Sequence, residues 1–215
     1  GLQPHHTQDY VLKVMEDWAN FGVEGFFLGK NPWLHYHQSI APVMADIVGA
    51  KAEEIVTMNH LTVNLHLLMI SFYQPTATRY KIICEAKAFP SDQYAFQSQI
   101  KLHNRHPEEA LIEVQPANGL ETITTDDIIA AIEKHGDTLA LVLFSGVNYY
   151  TGQKFDIQKI TAAAHKVGAY AGFDLAHAAG NIELQLHNWQ VDFACWCNYK
   201  YLNSGPGGVA GVYIH

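Results

Sequence analysis

Apolar positions recur along this chain with two periods that take turns. Between Thr7 and Asn20, the residues Tyr10, Val11, Val14, Met15 and Trp18 fall at helical intervals, which predicts a helix over 7–20 with one apolar stripe. A Gly-, Pro- and aromatic-rich loop follows over 21–38, then a short helix over 40–48. A third helix, capped by Asn59 or Thr62, is expected to run to about Tyr73. Beyond it, short β-rich runs alternate with helical ones. Strands are predicted over 81–86, 111–115, 139–144, 169–175, 191–196 and 209–214, and helices over 91–102, 125–135 and 157–167. Asp126 and Asp127 follow Thr124 and Thr125, which places negative charge at the positive end of the 125–135 helix.

Strands and helices in this order predict an α/β fold, a mostly parallel sheet with helices on both faces. No repeat or low-complexity segment divides residues 1–215, so one domain is expected. Ligands of such sheets sit beyond the carboxyl ends of the strands. Asp92, Ser145, Asp174 and Lys200 all fall just after predicted strands, so a single pocket is expected to collect them.

Lys200 follows the buried-type run Phe193-Ala194-Cys195-Trp196-Cys197-Asn198-Tyr199 and precedes a glycine-dense stretch through Gly208. Asp174 closes an earlier run, Gly172-Phe173-Asp174, with His177 three residues on. An ionised side chain at such a place is costly unless it has a partner or a task. A lysine and an aspartate delivered to one end of a parallel sheet are what pyridoxal phosphate chemistry needs. The amine makes a Schiff base with the aldehyde, and the carboxylate keeps the pyridine nitrogen protonated. The helix opening at Leu61-Thr62 offers free N–H groups and a hydroxyl to a phosphate, and Phe89 can stack on a flat ring. Each residue also has a plainer reading: a solvated turn lysine, a capping aspartate, a structural histidine, an ordinary helix start.

Composition narrows the alternatives. The chain is 48% hydrophobic and 16% charged, enough to bury a sizeable core. Its net charge of −8, with no Lys/Arg cluster, argues against a nucleic-acid partner. No apolar stretch approaches a membrane span, and no signal peptide opens the chain. Cys84, Cys195 and Cys197 are odd in number, which points to reduced thiols and a cytoplasmic setting. Cys195 and Cys197 lack a second Cys/His pair, and His177 with Asp174 lacks a third ligand, so no metal is expected. There is no Gly-x-Ser-x-Gly elbow for a serine hydrolase and no P-loop.

At these residues the chain resembles the kynureninase family of fold-type-I pyridoxal phosphate enzymes. The likeness runs nearly end to end: Asn31-Pro32-Trp33-Leu34, Leu61-Thr62-Val63-Asn64-Leu65-His66, Glu85-Ala86-Lys87-Ala88-Phe89-Pro90-Ser91-Asp92, Leu143-Phe144-Ser145-Gly146-Val147, Tyr150-Thr151-Gly152-Gln153, Gly172-Phe173-Asp174-Leu175-Ala176-His177, and Asp192 through Asn203. The resemblance implies Lys200 as the Schiff-base lysine and Asp174 as the partner of the ring nitrogen; Tyr199, beside Lys200, is placed to donate a proton. It implies phosphate-side contacts from Leu61, Thr62 and Tyr199, ring stacking by Phe89, and further cofactor contacts from Asp92, Ser145 and His177. It also implies hydrolysis of kynurenine or 3-hydroxykynurenine within tryptophan breakdown, by a homodimer. Against that pattern the chain reads as a truncated large domain without an N-terminal arm or a C-terminal small domain. The alternatives are another class V enzyme, such as a cysteine desulfurase or β-lyase, or an inactive chain that keeps the fold as a dimerisation module.

Overall fold

The computed structural model describes all residues, Gly1–His215. Seven strands form one sheet: β1 Ile55–Thr57, β2 Lys81–Glu85, β3 Leu111–Val114, β4 Leu139–Ser145, β5 Tyr170–Asp174, β6 Phe193–Trp196 and β7 Gly211–Ile214. Their spatial order is β1-β7-β6-β5-β4-β2-β3. The pairs from β3 to β6 are all parallel, and β7 and β1 complete the sheet antiparallel. The mostly parallel sheet read from the alternating pattern is therefore present, with an antiparallel edge.

Helices cover both faces. Strand residues alternate between two apolar clusters, as the pleat requires. Ile83, Val142, Phe144, Phe173, Ala194 and Trp196 meet α2 (Tyr36–Val48), α6 (Thr125–His135) and α7 (Ile157–Lys166). Ile82, Cys84, Leu141, Leu143 and Cys195 meet α3 (Leu61–Phe72) and α4 (Pro90–Leu102). Phe193 packs so tightly over β5 that a Cβ on Gly172 would lie 2.1 Å from its ring. Only glycine permits that approach.

Several expectations change. α2 begins at Tyr36, inside the segment read as loop, and β1 and the one-turn helix α5 (Pro107–Ala110) carry too few residues to show a period. Thr124 caps α6 as expected, accepting from the Asp127 N–H. Neither Asn59 nor Thr62 caps α3. Its N-cap is His60, with no side-chain cap, because Asn59 turns into a left-handed conformation (φ 49°) and donates instead to Asn64. α1 (Thr7–Phe21) forms as predicted, but its apolar stripe is exposed.

Candidate active site

The carboxyl ends of the parallel strands carry the expected residues. Ser145 ends β4 and Asp174 ends β5, directly paired in register. Lys200 lies in the turn after β6, and Phe89 and Asp92 stand at the start of the helix that follows β2. Leu61, Thr62, Phe89, Ser145, Asp174, His177, Tyr199 and Lys200 line one pocket. Asp92 is buried just behind its wall, against Asp174. All nine residues singled out in the sequence are thus gathered at one place.

Each group has a distinct setting. The Lys200 amine is half-buried, 2.9 Å from His177 Nε2 and 5.8 Å from the centre of the Phe89 ring. Burial, and after it the Lys200 charge, holds the His177 imidazole below its ordinary range. A neutral His177 accepts a hydrogen bond from the Lys200 amine through Nε2. Asp174 is buried and accepts the Ala176 N–H at 2.7 Å. Burial pushes its carboxyl up, while the Asp92 hydrogen bond, the Ala176 N–H, Lys200 and His177 pull against that. Asp92 is pushed up strongly, first by burial and then by the Asp174 charge. Both carboxyls are thus held above their ordinary range, and of the two Asp174 has the Ala176 N–H, Lys200 and His177 to favour its charged form.

The side of the pocket formed by α3 is backbone. Because His60 offers α3 no side-chain cap, the first N–H groups of that helix stay open beside Thr62 on the pocket wall. Phe89 is 44% exposed and meets Tyr149 edge-on, with centroids 5.1 Å apart. Tyr199 is also exposed, its phenol pushed up by burial and then by Cys197.

Five lining residues were not singled out: Glu85, Ser91, Tyr149, Ala176 and Cys197. Glu85 is the notable one, a carboxyl 2% exposed at the end of β2. Its one signal in the sequence was an acid closing the apolar run Lys81–Glu85.

The donor set fits pyridoxal phosphate. It offers an amine whose partner is a neutral imidazole, a buried carboxyl for a protonated ring nitrogen, an aromatic face, and an uncapped helix N-terminus for the phosphate.

Known proteins bear on this arrangement. The chain is 60% identical over 215 residues to a kynureninase of Flavobacterium psychrophilum and 55% identical to that of Homo sapiens, in each case over 100% of this chain but 51% and 46% of the relative. It spans about half the length of the curated relatives it matches. A cystine C–S lyase solved with cysteine persulfide superposes with a TM-score of 0.78 at 19% identity, over 100% of this chain and 55% of that one. A cysteine desulfurase from Thermococcus onnurineus gives 0.74 at 20%, over 100% and 51%. These likenesses establish the fold-type-I architecture. The family model Aminotransferase class-V matches residues 33–215, and on that match the chain belongs to the aminotransferase class-V family.

Proposed function

We propose that this chain is the cofactor-binding part of a kynureninase, one unit from residue 1 to 215. In this reading the protein hydrolyses the Cβ–Cγ bond of kynurenine or 3-hydroxykynurenine, giving an anthranilate and alanine. The observation that carries the chemistry is the shared pocket of Lys200 and Asp174. The choice of substrate is supported by identity of 54–60% to proteins named kynureninase across all 215 residues. A homodimeric, cytoplasmic enzyme belongs to the same reading.

Pyridoxal phosphate, when bound, supplies an aldehyde for an amine and a ring that takes up electrons. Lys200 binds that aldehyde and, once freed by the substrate amine, removes and returns the proton at the substrate α carbon. His177 accepts a hydrogen bond from Lys200 and so helps direct the amine. Asp174 holds the ring nitrogen's proton by staying anionic, which the Ala176 N–H and the nearby Lys200 favour. The open end of α3 and Thr62 bind the phosphate, Phe89 covers a ring face, and Ser145 flanks Asp174. Tyr199, beside Lys200, donates a proton to the departing β carbon.

The decisive experiment uses the full-length protein with pyridoxal phosphate. The unsubstituted protein should give a visible absorption band and a borohydride-reducible adduct at Lys200, and should release fluorescent anthranilate from kynurenine. Lys200→Ala should lose band and adduct and lower turnover by about a thousandfold or more. An unchanged spectrum in that variant, or release of sulfide from cysteine in place of anthranilate, would overturn the reading.

A further inference from the structure

Glu85 is the buried acid that none of the roles above uses. It is the last residue of β2, and its carboxyl accepts the Ser145 N–H at 3.1 and 3.3 Å and the Ser145 hydroxyl at 2.5 Å. β2 and β4 are parallel neighbours, yet the helices that follow them, α4 and α7, pack on opposite faces. A crevice opens between strand ends where the connections part in this way. The Glu85–Ser145 pair bridges that crevice, with Ser145 in register beside Asp174.

A mere clamp would not need an acid. Glutamine offers a carbonyl oxygen to the same donors without the cost of burying an ionisable group. The surroundings say what the acid is near. Glu85 faces Ser145 from β4, Asp174 and His177 from β5 and its turn, Asp92 from α4, and Lys200 with Tyr199 from the segment after β6. Burial pushes the Glu85 carboxyl up, the Ser145 hydrogen bonds pull it down, and the Asp174 charge pushes it up again.

We propose that Glu85 is a positioning residue of the ring site: it locks Ser145 across the crevice and, as a carboxyl beside Asp174, sets how strongly that pocket holds a cation. A carboxyl here can add its charge to that of Asp174, and a cation held in the pocket then keeps its proton to higher pH than it would beside an amide. The inference rests on the pyridoxal phosphate reading.

The test is a pH titration of the visible band in the full-length protein loaded with pyridoxal phosphate, for the unsubstituted protein, Glu85→Gln, Glu85→Asp and Glu85→Ala. Glu85→Gln keeps an acceptor for Ser145 but cannot ionise, so the band's midpoint should fall by about half a pH unit or more, with the melting temperature of the cofactor-free protein nearly unchanged. Glu85→Asp should bring the midpoint back toward the original value, even with weaker binding. Glu85→Ala should weaken cofactor binding by about tenfold, because the Ser145 donors lose their acceptor. A midpoint unmoved in Glu85→Gln, or a Glu85→Asp protein that titrates like Glu85→Gln, would overturn the inference and leave the cofactor reading standing. No band in the unsubstituted protein would overturn both.

Discussion

Helices α1 and α7 carry apolar stripes of the same kind, and the fold treats them in opposite ways. In α7, Ile157, Ile160, Ala163 and Ala164 are buried beneath β4 and β5. In α1, Tyr10, Val11, Val14, Met15 and Trp18 are all exposed, Trp18 at 66%, and the one residue buried is Asp17, ion-paired to Lys13 at 3.3 Å. α7 lies between two consecutive strands of the sheet, so its connections press it onto their side chains. α1 is followed by α2 and not by a strand, and nothing within residues 1–215 covers its stripe. Periodicity tells which face of a helix is apolar, not what that face will meet.

Substitutions should expose this contrast in order of size. Ile160→Ala opens a cavity under α7 and should cost about 2–5 kcal/mol in denaturant unfolding. A loss near zero would mean α7 is not held as described. Gly172→Ala should cost about 1–3 kcal/mol, because the new methyl meets the Phe193 ring on the opposite face of the same sheet region.

The buried acids should show in pH. Asp92 has its folded carboxyl raised above the ordinary range near 3.8, so its contribution to stability is full at acid pH and is lost as pH rises through the raised value. Melting temperatures of the cofactor-free protein should therefore decline from acid toward alkaline pH. Asp92→Asn, neutral throughout, should flatten that decline, and an equally steep curve in the variant would show that Asp92 does not hold the proton.

Smallest of all, Trp18→Ser on α1 should change stability by no more than about 0.5 kcal/mol, since that ring covers nothing. A larger loss would show that α1 is covered in solution.

Much of the site was legible because strand ends announce themselves. An apolar run that stops at an acid, a serine or a lysine marks both the strand and its chemistry, as with Ser145, Asp174 and the Trp196–Lys200 segment. Glu85 ends its run in the same way, yet its relevance depends on β2 lying beside β4, although β3 separates them along the chain. The cap of α3 was misread for a related reason. Asn59 suits a cap by type, but Asn64 and the Met58 carbonyl draw that segment into another hydrogen-bond pattern.

What the sequence determined alone was local: where the chain coils or extends, which faces are apolar, and which polar groups stand at the element ends. Those follow from side-chain type and spacing over a few residues. Only the tertiary structure decided the strand order, the antiparallel edge made by β7 and β1, the Glu85–Ser145 bridge and the burial of Asp92 near Asp174. Each of these depends on which distant segments come to lie side by side, and on burial that raises the energy of a charge only once they have.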